Sequence, residues 1–163
     1  FAPLSQVIKR ELLRVPFWGW SMALLKPIAI NRGNPKAALK QLASEGEDRL
    51  NDGLWVLIFP EGTRVPYGQM GKFSRGGAAM AVNAGLPVLP IAHNAGKCWP
   101  RDTWIKQPGT IQIVVGAPMY AEGSGPRAIA ELNERAYHWV RERQIELGAL
   151  PADAAMVSST AEE

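Results

Sequence analysis

The chain has 163 residues, 47% apolar and 20% charged, with 16 glycines, 13 prolines and a formal charge of +3, a length that supplies one compact domain with a real core and not two. With a mean hydropathy of −0.10 this composition excludes a disordered, collagen-like or mostly membrane-embedded chain, and the glycines and prolines predict many tight turns. A single cysteine, Cys98, excludes an internal disulfide and a cysteine-only metal site, and reads as a small buried apolar residue in a reducing compartment.

Phe1 opens directly into structured-looking sequence without an initiating Met, as expected of part of a longer chain. Over residues 1–36, Lys9, Arg10, Arg14, Lys26, Arg32 and Lys36 face Glu11 alone. Such a front suits an anionic partner: a phosphorylated metabolite, a membrane surface or a nucleic acid. The spacing of Leu4, Val7, Ile8, Leu12 and Val15 predicts an amphipathic helix that stops at Pro16. Phe17, Trp18 and Trp20 follow, ahead of Met22, Leu24 and Leu25. Aromatics beside a basic helix suit a membrane interface, and equally they can close a core.

Pro27 to Asn31 predicts a strand, followed by a helix capped by Asn34, opened by Pro35 and running to Gly53, with Leu39, Leu42 and Leu50 inward. Leu54 to Phe59 is a continuous apolar run, the pattern of a strand buried on both faces. A helix capped by Ser74 through Val82 and ended by Gly85, then a strand over Val88 to Ala92, complete an alternation that predicts parallel pairing through right-handed crossovers. The uncharged run from Gly76 to Gly96 is thereby a helix, a turn and a strand, not a membrane span. After an irregular stretch with Trp99, Pro100, Trp104 and Pro108, a strand is expected over Thr110 to Gly116. A last helix opens at Pro126 with Ile129, Leu132, Ala136, Val140 and Leu147 on its inner face. The fold class is α/β with a mostly parallel sheet, a single domain over 1–147 and a disordered tail over 148–163.

Ligands of open parallel sheets gather beyond the carboxyl ends of strands. There the sequence places Asn31, Arg32 and Gly33, then Pro60, Glu61, Gly62, Thr63 and Arg64, then His93, Asn94 and Gly96. Two guanidinium forks, Arg32 and Arg64, converging at one sheet edge would clamp a phosphomonoester. Gly62 permits close backbone approach, Glu61 would orient an arginine or accept a substrate hydroxyl, and Lys72 with the amides of Arg75, Gly76 and Gly77 would add positive potential. A simple Glu61–Arg64 pair across the turn is the alternative.

Taken in order, Ile30-Asn31-Arg32, Phe59-Pro60-Glu61-Gly62-Thr63-Arg64, Phe73-Ser74-Arg75-Gly76-Gly77 and Leu86-Pro87-Val88-Leu89-Pro90-Ile91-Ala92 resemble the glycerolipid acyltransferase family, specifically its 1-acyl-sn-glycerol-3-phosphate acyltransferases. The resemblance covers roughly residues 7–118. It implies transfer of a fatty acyl group from acyl carrier protein or coenzyme A to the sn-2 hydroxyl of lysophosphatidate, at the cytoplasmic face of a membrane, with no metal and no bound cofactor. Arg32, Glu61, Gly62, Thr63, Arg64 and Lys72 would bind the phosphate and glycerol, Val88 to Ile91 would support the pocket, and Lys9 to Trp20 would face the membrane. The family's catalytic pair is a His with an acidic residue five positions on, the His taking the proton of the acceptor hydroxyl. Five positions after His93 stands Cys98, and five after His138 stands Arg143, so the pair is expected upstream of Phe1 and no catalytic residue is assigned here. The alternative is a non-catalytic module for anionic phospholipid. Six tryptophans scattered over different elements make no stacking platform for nucleic acid.

Overall fold

A computed structural model describes residues 3–31, 33, 35–101 and 103–153. The chain divides into two compact units, residues 1–59 and 60–163.

The first unit is built on a parallel three-stranded sheet of β1 (Leu4–Lys9), β2 (Ile28–Ile30) and β3 (Trp55–Leu57), in the order β2-β1-β3. The helix expected over Leu4 to Val15 is instead β1 followed by a 3-10 turn, Arg10–Arg14. Val7 pairs with Ile28 on one side and Leu4 with Trp55 on the other, so the segment satisfies its backbone on two neighbours that local sequence does not reveal. β-branched Val7 and Ile8 suit that pleated setting. The buried residues of the strand, Ser5 and Ile8, stand three apart and so imitate a helical stripe. The completely buried Ser5 hydroxyl donates to the Lys26 carbonyl at 2.8 Å, which removes the cost of an unpaired polar group.

From β1 the chain returns to the sheet through α1 (Trp18–Ala23), and from β2 through α2 (Pro35–Asn51), the crossovers that parallel strands require. Helix α2 turns Leu42 and Gly46 inward, while Leu39, expected on that face, is exposed. Gln41 of α2 donates from Nε2 to the Ala29 carbonyl at 3.0 Å. The run Leu54 to Phe59 is not a strand buried on both faces. Only Trp55–Leu57 pairs, at the sheet edge beside β1, and both Trp55 and Phe59 are exposed.

The second unit contains α3 (Gly76–Ala84), β4 (Ile91–His93), α4 (Ala95–Cys98), β5 (Ile113–Val115) and α5 (Gly125–Glu146). Helix α3 ends where Gly85 turns left-handed at φ 65°, a conformation glycine adopts without a Cβ penalty. Arg75, not Ser74, holds its N-cap position; the Ser74 amide instead donates to the Pro60 carbonyl at 2.8 Å. Strands β4 and β5 pair antiparallel, Ile91 opposite Val115, with a further antiparallel bridge from Val88 to Met119. Parallel pairing was expected for Val88 to Ala92. The connection out of β4 is one short helix and an irregular loop, which returns the chain alongside without a crossover. The strand expected over Thr110 to Gly116 is confined to Ile113–Val115.

Helix α5 buries Ala128, Leu132, Ala136 and Val140, one residue per turn of a single face. Leu132 packs with Ala78 and Ala81 of α3. Val140 packs with Met70, Ala92 and Leu150, flanked by Phe73, Tyr137 and Trp139. Ala149 and Leu150, assigned above to a tail, are buried, and residues 154–163 of that segment lie outside the described ones. Among the described residues no helix is long and apolar enough to cross a membrane.

Gly116 sits where β5 ends against α5. A Cβ placed there would stand 2.7 Å from the Trp139 ring and 2.8 Å from Pro90, too close for either to remain in place. Gly116→Ala should cost about 1–3 kcal/mol of stability, read as a lower urea midpoint; an unchanged midpoint would contradict the packing described.

Candidate functional site

The turn after β3 is Pro60-Glu61-Gly62-Thr63-Arg64, with Gly62 at φ 69° in the region that favours glycine. Glu61 is half-buried, and its Oε1 accepts the Gly71 amide at 3.3 Å. Burial pushes the Glu61 carboxyl above its ordinary range, and the Gly71 hydrogen bond opposes that shift. The backbone at Gly71 comes close: a Cβ there would lie 3.0 Å from a Val65 methyl and 3.5 Å from the Glu61 carboxyl carbon. Residues 61–71 thus form a loop doubled back on itself and closed by a carboxylate. Tyr137 of α5 stands near enough for that carboxylate to help raise its phenol, after burial and against the lowering effect of Arg141. Its ring meets Phe73 edge-on at 5.2 Å.

Two braces hold the loop. Arg101 donates from Nη1 to the Arg64 carbonyl at 3.1 Å. The Tyr67 ring lies against Gly96, where a Cβ would approach it to 3.3 Å, and its hydroxyl donates to the Gly148 carbonyl. Gly62, Thr63, Arg64 and Lys72 remain exposed. Among the described residues no ion pair joins Glu61 to Arg64, so the simple pair across the turn does not form. Burial and the Gly71 amide hold Glu61 in the loop, and Arg64 keeps its guanidinium in solvent. The turn therefore offers exposed cationic side chains on a fixed backbone, suited to an anion.

Arg32 lies outside the described residues. Its neighbour Asn31 follows β2 and accepts the Gly33 amide on Oδ1 at 3.0 Å. Within the first unit β2 and β3 flank β1 and run parallel to it, so Asn31 and Phe59 leave the same edge of the sheet, two strand spacings or about 10 Å apart. His93 is exposed and accepts the Ala95 amide on Nδ1 at 3.3 Å. His138 is exposed on α5, edge-on to Tyr137 at 5.6 Å. Neither histidine pairs with a carboxylate among the described residues, and no cluster of His, Cys, Asp and Glu there could hold a metal ion.

The aromatic segment does not close a core. Phe17 is 78% and Trp20 62% exposed, with their rings 5.2 Å apart, and Trp18, Leu24 and Leu25 are exposed too. The buried Gly19 permits this, because a Cβ there would collide with the Leu12 and Leu13 carbonyls of the preceding turn. The roles of Gly71, Tyr67 and Arg101 were not read from the sequence. A glycine, a tyrosine and an arginine in turn-rich segments carry no motif, and only three-dimensional proximity singles them out.

Residues 2–94 match the acyltransferase family. The chain is 69% identical over 92% of its length to 1-acyl-sn-glycerol-3-phosphate acyltransferase of Pseudomonas aeruginosa, covering 58% of that protein. It is 31% identical over 81% of its length to the alpha 1-acyl-sn-glycerol-3-phosphate acyltransferase of Homo sapiens, covering 47% of it. The crystal structure of the 1-acyl-sn-glycerophosphate acyltransferase PlsC from Thermotoga maritima superimposes with a TM-score of 0.71 at 25% identity, over 90% of this chain and 57% of that one. The chain thus spans about half the length of these relatives.

A carboxyl whose pKa is raised by folding holds its proton more tightly in the folded state. Its favourable contribution is complete below the unfolded pKa and is lost as pH rises through the folded one. Glu61→Gln, which keeps an acceptor for Gly71, should be at least as stable as the parent at about pH 7, with the difference vanishing toward about pH 4. Urea denaturation at both values measures this, and a variant less stable at neutral pH would contradict it.

Proposed function

The chain belongs to the acyltransferase family, and from this we propose that it forms part of an enzyme transferring a fatty acyl group to the sn-2 hydroxyl of lysophosphatidate, giving phosphatidate. The observation that carries the proposal is the 69% identity over 92% of the chain to a protein of that named activity. The turn after β3 gives it a physical basis. Arg64, exposed on a backbone closed by Glu61 and braced by Arg101, binds the acceptor phosphate as a planar fork. Lys72 adds charge from the far end of the same loop. Glu61 acts as a positioning residue, holding the turn rather than the substrate.

The acyl donor is a thioester of acyl carrier protein or coenzyme A. Attack by the glycerol hydroxyl on that carbonyl forms the ester, releases the thiol and requires a base for the hydroxyl proton. His93 is engaged in its own turn, and among the described residues no carboxylate pairs with His138 on α5, so we assign the base to sequence outside these 163 residues. The exposed Phe17, Trp18 and Trp20, with Lys9, Arg10 and Arg14 ahead of them, hold the enzyme at the cytoplasmic face of an anionic membrane where its acceptor resides.

In the enzyme that contains this segment, Arg64→Ala and Arg64→Lys should each lower kcat/KM for lysophosphatidate by roughly ten- to a hundredfold, the loss of one charge-assisted contact. Steady-state kinetics decide the matter, and unchanged values for both variants would remove Arg64 from the site. The 163-residue chain by itself should show background acyl transfer only, since a missing general base costs about 10² to 10⁴ in rate. Turnover by that chain, abolished in His93→Ala, would instead make His93 the base.

A further inference from the structure

The second unit carries an exposed apolar apex that phosphate binding does not use. On the connection between α4 and β5, Trp104 is 98% and Ile105 71% exposed. They are held out by a fastened neck, not by slack chain. The buried Asn94 accepts the Gln112 amide on Oδ1 at 2.8 Å, and its own amide donates to the Gln112 carbonyl at 3.3 Å. Nearer the apex the Gln107 amide donates to the Cys98 carbonyl at 2.7 Å. Cys98 is buried, and a Cβ on Gly109 would come within 3.0 Å of its sulfur. The Thr103 hydroxyl accepts the Ile105 amide at 3.1 Å.

Cations flank Trp104 and Ile105 in sequence. Lys97, Arg101 and Lys106 are all exposed, and the Lys106 ammonium lies 4.5 Å over the Trp99 ring. Asp102 is the single acidic residue in the sequence from Asn94 to Ala121.

We infer that Trp104 and Ile105 insert into an anionic lipid surface while Lys97, Arg101 and Lys106 meet its phosphates. This deepens, and rests on, the reading of an enzyme that acts at a lipid surface. An indole and a branched aliphatic chain at the tip with cations on the shoulders match the layering of a bilayer boundary, where aromatic rings sit at headgroup depth and each cation gains from the negative surface potential. Two tip side chains fall well short of the ~800 Å² per partner that a stable protein interface buries. The pinned neck means that little conformational freedom remains to be lost on insertion. Arg101, in the cationic shoulder, also holds the Arg64 carbonyl, so the apex and the phosphate-binding turn are tied within one unit. Headgroup contact at the first then brings the second to the layer that contains its acceptor.

The test is partition of the 163-residue chain into vesicles of phosphatidylglycerol and phosphatidylcholine in equal parts, with brominated phosphatidylcholine as a depth-dependent quencher. Trp104→Ala combined with Ile105→Ser should weaken partition about tenfold or more, as expected for withdrawing two apolar side chains, at an unchanged melting temperature. In a chain already carrying Trp18→Phe and Trp20→Phe, Trp104→Phe should lose most of the remaining bromolipid quenching, and Lys97→Glu with Lys106→Glu should weaken binding and flatten its salt dependence. Partition unchanged by the apex variant, quenching unchanged in Trp104→Phe, or a parent chain that does not bind these vesicles would each overturn the inference. Altered self-association without altered partition would also overturn it, assigning the apex to a second copy of the chain. Acyl transfer by the enzyme containing this segment judges the parent reading separately: turnover with an inert apex removes only this inference, and vesicle binding without turnover removes only the parent reading.

Discussion

The site depends on one hydrogen bond, from the Gly71 amide to the half-buried carboxylate of Glu61. A carboxylate taken out of water costs stability unless something fixes its charge, and here a single amide partner opposes the desolvation. What the arrangement provides is shape. With the carboxylate turned inward, Glu61 is unavailable to Arg64, and the guanidinium three positions on keeps its charge for an external anion. A surface Glu–Arg pair would be worth little in stability and would neutralise the cation that the turn presents. The other braces make sense in that light: Arg101 grips the loop's backbone at the Arg64 carbonyl, Tyr67 ties the loop to the Gly148 carbonyl, and both leave its cationic side chains alone.

Much of this was legible in the sequence, in proportion to how local the cause is. Helices α2, α3 and α5 announce themselves through apolar spacing, Pro35, Pro126 and the terminating glycines, because a helix satisfies its own backbone. The strands are less legible because their hydrogen bonds belong to someone else. β1 has an apolar spacing that suits a helix, and only its two neighbours make it a strand. The six-residue apolar run around β3 signals burial on both faces, yet the strand stands at a sheet edge with Trp55 and Phe59 outward. The antiparallel return of β4 and β5 follows from the connection between them, whose path no periodicity encodes.

The same division holds for the site. Phe59 to Arg64 is recognisable because its residue types are dictated by turn geometry and ligand chemistry together, and these act within six positions. Gly71 is invisible at that range: its value lies in having no side chain beside Val65 and Glu61, a spatial fact. Where Phe17, Trp18 and Trp20 would go was open in the sequence, since large aromatics serve cores and interfaces alike. Gly19, pressed against the carbonyls of Leu12 and Leu13, decides it by seating the helix on its glycine face and turning the rings outward.

The bond from the Tyr67 hydroxyl to the Gly148 carbonyl reaches from the loop of the motif to the residue just beyond α5, 81 positions later in the chain. Leu150, two positions on, is buried against Met70 of that same loop. The chain from α5 to Leu150 is therefore a strap under the loop of residues 61–71 and not a dispensable appendage. A reading frame interrupted between α5 and Leu150 would leave every motif residue encoded and every helix complete, and yet remove the underside of the loop on which they stand. Length variation between α5 and Leu150 is thus constrained by the same side chains that shape the loop.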